Sequence, residues 1–344
     1  MTANYTKYLL NFKRPSGTSR GVMTQKETWF IALEHEGRKG IGECGILRGL
    51  SVDDVPNFEE ILGWTCLNIN LGLEFLLEKL KEFPSIQFGL EMAFKSLESK
   101  NKFTLFPSSF TSGKASIPIN GLIWMGSKDF MKSQIKNKIS QGFKCLKLKI
   151  GALDFKTEIN LLKFIRSEYS YDDIQLRVDA NGAFSVNDAL EKLNTLSDFQ
   201  LHSIEQPIKQ GQIEHMAALC EKSLLPIALD EELIGVFDRG NKEMLLQVIK
   251  PHYIILKPSF IGGFQGSNEW IDLANKYRIG WWITSALESN VGLNAIAQWT
   301  FNYDVKIPQG LGTGALFTNN FTAPLQVDKG MLRYDNNLEW NVKI

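Results

Sequence analysis

Apolar and polar positions alternate along this chain with two different periods, and each period marks an element. Residues 5–12 and 28–35, rich in aromatic and branched apolar side chains, read as two strands of a small antiparallel sheet. Between them, 16–23 is polar and contains glycine, so it predicts a loop able to touch ligand. Residues 57–62, 72–81 and 86–99 carry helical spacing and are expected to pack on that sheet. The Ser-, Thr- and Gly-rich run at 107–115 predicts a linker and a domain boundary.

From Ser116 short apolar stretches alternate with amphipathic ones. Strands are predicted at 117–123, 145–150, 175–180, 203–206, 227–231, 253–258, 281–285 and, least regular, 306–311. Helices fall between them, for example at 128–140, 155–168, 186–196, 268–276 and 291–301. Eight strands bridged by helices in about 200 residues is the pattern of a (β/α)8-type barrel. A doubly wound open sheet needs fewer alternations and a glycine fingerprint in its first unit, which is missing here. Beyond Gly314 the chain turns irregular, then strand-like at 325–327 and 331–334. The expected organisation is an N-terminal domain over 1–113, completed by the tail 316–344, and a barrel over 114–315.

The second barrel strand, Cys145-Leu146-Lys147-Leu148-Lys149-Ile150, puts two lysines on one face and three apolar residues on the other. The apolar face suits a strand covered by helices, which turns Lys147 and Lys149 inward toward the carboxyl-terminal mouth, where barrel catalytic groups stand. Repulsion between them, with desolvation, is expected to lower a lysine pKa from about 10.4 toward the roughly 7–8 useful to a general base.

The next three strands end in acids: Asp179, Glu205 and Asp230, spaced by about one βα unit. A single acid after a strand is most often a turn former or helix cap. Three in register fall on one wall of one mouth, where they repel and require a cation. All-oxygen ligands point to a hard ion, Mg²⁺, with Mn²⁺ as a substitute. Strand six ends in Lys257, facing that wall from the side opposite Lys149. Arg177, two before Asp179, points inward and is expected to brace the carboxylates.

Composition narrows the remaining classes. Lys+Arg and Asp+Glu are both 38, so no net charge favours nucleic acid or an anionic membrane as partner. The four cysteines (Cys44, Cys66, Cys145, Cys220) have no paired spacing, which fits a reducing cytoplasm. There is no signal-like N-terminus and no apolar run near the roughly 20 residues of a membrane span. Gly40-Ile41-Gly42-Glu43-Cys44-Gly45 matches dinucleotide-turn spacing, but no helix pattern follows, so a hairpin strand with small residues is expected. His202 and His252 precede strands four and six at the non-catalytic end, and His35 and His215 are out of phase or place, so all four read as structural. No Ser–His–Asp or Cys–His set has supporting context.

Taken together, Lys-x-Lys on strand two, Asp-Ala-Asn on three, Glu-Gln-Pro on four, Asp-Glu on five and Lys-Pro on six resemble the enolase superfamily, in its muconate-lactonizing subgroup. Within it, Thr284-Ser285-Ala286-Leu287-Glu288-Ser289-Asn290-Val291-Gly292-Leu293, the Gly310–Gly314 stretch and Thr18–Met23 resemble the o-succinylbenzoate synthases of menaquinone biosynthesis. The resemblance implies an α/β fold, a modified TIM barrel of type (β/α)7β with an α+β capping domain. It also implies a mechanism. A substrate carboxylate binds Mg²⁺ held by Asp179, Glu205 and Asp230, and Lys149 removes the proton α to it. The ion steadies the resulting enediolate, and Lys149 returns the proton to the departing hydroxyl; the handling of such enediolates by a Lys base and Mg²⁺ is the superfamily's general pattern. Lys257 supplies positive charge on the opposite face. Lys147 tunes Lys149 and contacts substrate, Ser285 and the Gly310 backbone orient it, and the 19–26 and 47–53 loops close over the mouth.

The same lysine pair serves an N-succinylamino acid racemase, which the motifs leave open. A dipeptide epimerase is disfavoured by Gly310-Leu311-Gly312-Thr313, which lacks an Asp-x-Asp pair, and an acid-sugar dehydratase by the missing His–Asp dyad. A barrel that has lost catalysis is the non-enzymatic alternative, and the intact lysine and carboxylate set argues against it. The expected partner is a small-molecule carboxylate, and homo-oligomerisation is compatible with the sequence.

Overall fold

The structure is a computed structural model that describes residues 1–18 and 21–343. Its N-terminal part is a three-stranded antiparallel sheet ordered β1 (Thr2–Thr18), β2 (Gly21–His35), β3 (Arg38–Gly45). The expected loop at 16–23 is instead the outer end of the β1–β2 hairpin: Ser16 pairs with Met23 and Gly17 with Val22. Each arm gives the other a backbone partner, which outweighs turn-forming composition. Ser19 and Arg20 lie outside the described residues. Inside the hairpin the register slips: residues 12–15 of β1 oppose Thr24 alone. This bulge is pinned on both sides, by Lys13 N donating to Leu316 O (2.8 Å) and by a bridge from Gly17 to Met125.

Helices α1 (Phe58–Leu67), α2 (Leu73–Lys79) and α3 (Pro84–Glu98) pack against this sheet around Trp29, Ile31, Phe58, Leu62 and Leu90. The glycines of 40–45 have a packing role. A Cβ on Gly42 would lie 1.8 Å from Gly89 O, and one on Gly40 2.2 Å from Ala93 O, so they let α3 lie directly on β3.

After β4 (Ser116–Pro118) come the parallel strands β5 (Gly121–Ile123), β6 (Cys145–Lys149), β7 (Gln175–Asp179), β8 (Ser203–Glu205), β9 (Ile227–Leu229), β10 (Tyr253–Leu256) and β11 (Gly280–Ile283), in spatial sequence order. The helices between them are α4 (Lys128–Ser140), α5 (Phe155–Glu168), α6 (Val186–Ser197), α7 (Ile213–Lys222), α8 (Arg239–Ile249), the short α9 (Pro258–Ile261) and α10 (Gly263–Tyr277); α11 (Asn290–Phe301) follows β11. Ser127, Asp154 and Ser185 cap α4, α5 and α6 by accepting from the third residue on. The last predicted strand contributes only isolated bridges, Gln309 to Ile119 and Gly310 to Thr284, which link β5 to β11. The curled sheet is thus an α/β half-barrel whose seam is closed by 309–310.

Alternation holds along the wall. Leu146 and Leu148 join the main core outside the barrel, while Ala228, Ile255 and Trp282 cluster inside it. The returning chain divides. Segment 316–321 runs along β1, with Thr318 N donating to Asn11 O (2.8 Å), whereas β12 (Leu325–Asp328) pairs with β13 (Met331–Tyr334) and β13 with β4, not with the capping sheet. Among the described residues no helix is long and apolar enough to cross a membrane.

Candidate active site

Parallel register brings the expected side chains together. Lys147 pairs with Arg177 and Lys149 with Asp179 across β6 and β7; Asp179 then pairs with Glu205 across β7 and β8. Asp230 directly follows β9 and Lys257 directly follows β10. Because β6 and β10 are four strands apart in a seven-stranded curl, Lys149 and Lys257 approach from opposite walls.

Lysine ammonium groups stand between the carboxylates. Lys147 Nζ lies 2.9 Å from Asp179 Oδ2 and 2.5 Å from Glu205 Oε2. Lys149 Nζ donates to Asp179 Oδ2 (2.7 Å) and Asn181 Oδ1 (2.6 Å), and Lys257 Nζ donates to Asp230 Oδ2. Asn181 in turn donates to Glu231 Oε1 (2.9 Å). Asp179, Glu205, Asp230 and Glu231 are all buried, so four acids face three lysines.

Titration follows from that imbalance. Burial acts to raise the Asp179 pKa, yet Lys147 and Lys149 hold it well below the usual carboxylate range. Burial likewise opposes ionisation of Asp230, and Lys257 and Lys147 overcome it. Glu205 is pushed well up, first by burial and then by the neighbouring Asp179 charge. The expectation of a lowered lysine pKa fails at Lys147. Desolvation lowers it, but attraction to Asp179, Glu205 and Asp230 wins and raises it. The same balance raises Lys257, with Asp230 the leading attraction. Lysine–lysine repulsion was the wrong interaction to weigh, because Lys147 and Lys257 each stand in an ion pair with a buried carboxylate.

Among the described residues no three acid, histidine or cysteine side chains converge as a metal cage, since the lysines fill the gaps. The donor set nonetheless suits a hard cation. It is all oxygen, it sits at three adjacent strand ends, and Glu205 Oε1 is buried with no hydrogen-bond partner. Lys147 meets the other oxygen of Glu205, and a buried carboxylate oxygen left without a donor is what a divalent ion would take up.

A cavity of about 1050 Å³ opens over the site. Lys147, Lys149, Lys257, Asn181, Ser285 and Gly310 line it, while the three carboxylates lie behind the lysines. Its roof comes from the capping domain, from Lys13 to Ser16 of the β1 bulge, Met23, Leu47 and Leu50. Ser285 Oγ is 2.7 Å from Thr313 Oγ1 and accepts from Leu287 N (3.0 Å). Gly310 is a correction. Its N donates to Ile283 O (2.8 Å) and its O accepts from Ser285 N (3.1 Å), so its backbone is engaged within the barrel, and a Cβ there would meet Thr284 Oγ1 at 2.0 Å, so the glycine admits that neighbour. Arg177 is another. It donates to Pro308 O (2.8 Å) and stacks 4.3 Å from the Trp282 ring, while its Nε and Nη2 make no hydrogen bond to the carboxylate wall it was expected to brace. The four histidines stay out of the site; His252 Nδ1 accepts from Ile227 N (3.2 Å), and His202 Nδ1 lies 2.9 Å from Ser203 Oγ.

Residues without an expected role also prove to belong here. Asn181 shares the Asp179 face, so strand alternation extended by one step finds it. Gln206 accepts from Asp230 N (3.2 Å) and donates to Glu232 Oε2 (2.9 Å), tying strand ends four and five together. Asn181 and Gln206 both hold left-handed backbone, φ 43° and 40°, strain of the kind that collects at functional sites.

The comparisons agree with this geometry. The family model described as enolase C-terminal domain-like matches residues 131–337. The o-succinylbenzoate synthase of Desulfotalea psychrophila is 47% identical over 96% of this chain and 98% of that protein. The crystal structure of MenC from the same organism superposes with a TM-score of 0.87 at 44% identity, covering 97% of this chain and 99% of that one. An N-succinylamino acid racemase of an Amycolatopsis species is 25% identical over 81% of this chain and 76% of its own length. The chain belongs to the enolase superfamily, within the o-succinylbenzoate synthase family.

Proposed function

We propose that this protein is a divalent-metal-dependent hydro-lyase that removes water from 2-succinyl-6-hydroxy-2,4-cyclohexadiene-1-carboxylate to form o-succinylbenzoate, a step of menaquinone biosynthesis. The observation that carries the reading is the pair of lysines, Lys149 and Lys257, facing each other across one cavity with buried carboxylates behind them. Asp179, Glu205 and Asp230 would hold the ion, read as Mg²⁺, which when bound supplies positive charge to the substrate carboxylate and so acidifies the α-carbon.

The chain's own residues then move the proton. Lys149 Nζ, aimed into the cavity by Asp179 and Asn181, takes the α-proton in its neutral form. The same nitrogen returns that proton to the hydroxyl leaving from the same face. One C–H and one C–O bond break, one ring C=C bond forms, and water departs. Lys257 keeps its charge against Asp230 and balances the anion from the other side. Lys147, tied to Asp179 and Glu205, stays protonated and adds charge beneath the substrate. Leu47 and Leu50, with the β1 bulge, exclude water. A reducing cytoplasm suits the four buried free thiols.

The second reading is racemisation of an N-succinylamino acid, favoured by the same opposed lysines. The deciding experiment is turnover of the cyclohexadiene substrate, with α-proton exchange followed in deuterated buffer. Lys149→Ala should reduce both by roughly 100- to 10,000-fold while the fold persists. Exchange at the wild-type rate in that variant would move the base to another residue.

A further inference from the structure

The capping domain reaches into the barrel at two helix starts. Glu91 of α3 accepts from Phe264 N (2.5 Å) and Gln265 N (2.9 Å) at the beginning of α10. Glu43 of β3, fully buried, accepts from Ser289 N (2.8 Å), Ser289 Oγ (2.5 Å) and Gly292 N (2.8 Å) at the beginning of α11. These are unpaired helix donors, and a carboxylate suits them in both charge and geometry. Beside Ser289 sits a second fully buried acid, Glu288. It accepts from Ala286 N (2.7 Å) and Ser259 Oγ (2.6 Å). Ala286 follows the cavity-lining Ser285, and Ser259 stands two residues beyond Lys257. Leu287, between them, is held in left-handed backbone at φ 64°.

Lys26 of β2 completes the cluster. It is 3% exposed and does not line the cavity, and its Nζ makes no hydrogen bond. Burial lowers its pKa, and the nearby carboxylates Glu43 and Glu288 act against that. Gly45 leaves the room it occupies, because a Cβ there would lie 2.5 Å from Nζ. A buried, unbonded ammonium is costly to keep, and here it offsets two buried carboxylates that are otherwise neighbours.

We propose that Lys26 is a positioning residue: sealed in the domain interface beside Glu43 and Glu288, its side chain holds both carboxylates on their donors and so fixes the loops that carry Ser285 and Lys257. The kinetic part rests on the hydro-lyase reading; the loop part rests on the geometry alone. The test compares wild type, Lys26→Met and the double variant Lys26→Met/Glu288→Gln by kinetics and by amide hydrogen exchange. Displacing reacting groups by about 1 Å costs on the order of 100-fold, so Lys26→Met should lose roughly 10- to 100-fold in kcat with little change in KM. Exchange over 284–292 should quicken roughly tenfold while the β1–β2 pairing exchanges as in wild type. The double variant, which deletes the charge left uncompensated, should recover about tenfold in kcat. Wild-type kinetics and exchange in Lys26→Met, or no recovery in the double variant, would overturn the proposal. Should Lys26→Met not fold, Glu288→Gln decides: faster exchange over 284–292 supports the role, and unchanged exchange rejects it. If the wild type does not turn over the cyclohexadiene substrate, the hydro-lyase reading falls while the exchange measurement still judges Lys26.

Discussion

Asp53 makes the stability of the capping domain depend on pH in an unusual direction. It is 1% exposed and its Oδ2 accepts from Ser85 N (2.9 Å) and Ser85 Oγ (2.6 Å), at the start of α3, where Phe83 offers no side-chain cap. Its Oδ1 is buried with no partner. Burial therefore prevails over the Ser85 donors and raises the pKa from 3.8 to about 6. A carboxyl group whose folded pKa exceeds its unfolded value stabilises the fold most below the unfolded pKa, and that stabilisation is lost as pH rises through the folded one. The shift of roughly two units corresponds to about 3 kcal/mol in all, of which about 1.3 kcal/mol disappears between pH 5 and pH 7. Asp53→Asn keeps an acceptor for Ser85 and does not titrate. Urea unfolding of both proteins at pH 5, 6 and 7 isolates this group, since every other titration is shared. The variant should gain about 1.3 kcal/mol on the wild type over that range. A flat difference, or one in which aspartate gains with rising pH, would refute the reasoning. Because the turn ending at Asp53 also carries Leu47 and Leu50 of the cavity roof, the same titration should loosen the roof.

Three further predictions address the site and the domain contact. Asp230→Asn removes one anionic ligand and the partner of Lys257; calorimetry should show weakened Mg²⁺ binding and assays a strong loss of turnover, an effect of several kcal/mol on the barrier, whereas full activity in excess chelator would sink the metal assignment. Lys257→Arg keeps a charge but does not release a proton near neutral pH, so it should harm racemisation of N-succinylamino acids far more than dehydration; equal losses in the two activities would mean Lys257 is not a second base in either. Gly42→Ala puts a methyl 1.8 Å from Gly89 O, and overpacking of this kind should cost about 1–3 kcal/mol of stability by urea unfolding; an unchanged midpoint would mean α3 does not rest on β3 as described.

What could be read from the residues, and what could not, divides by the range of the interaction. Lys147, Lys149, Asp179, Glu205, Asp230 and Lys257 were reachable because each depends only on strand alternation and on a repeat of one βα unit. Those are local rules, and parallel pairing preserves them: Lys149 meets Asp179, and Asp179 meets Glu205. The hairpin at 16–23 was hidden because glycine and serine content reports what a segment tolerates alone, whereas its structure comes from the arm paired beside it. Lys26 was grouped with a mobile mouth loop for the same reason and is instead walled in.

The misjudged lysine pKa shows a second limit, and it bears on function. Two like charges on one strand are visible in the chain, but their ion-pair partners, Asp179 and Glu205, arrive from two other strands, and attraction to these acids sets the sign of the Lys147 shift. In this arrangement Lys147 is held charged between Asp179 and Glu205. A base at this site therefore requires that some of the carboxylate charge now spent on lysines be taken up elsewhere. A divalent ion held by Asp179, Glu205 and Asp230, as proposed above, would do that by drawing these acids away from the ammonium groups. Metal binding and lysine basicity are on this view linked. The linkage also accounts for four acids facing three lysines, because a site meant to house a cation as well must carry more negative charge than its lysines neutralise.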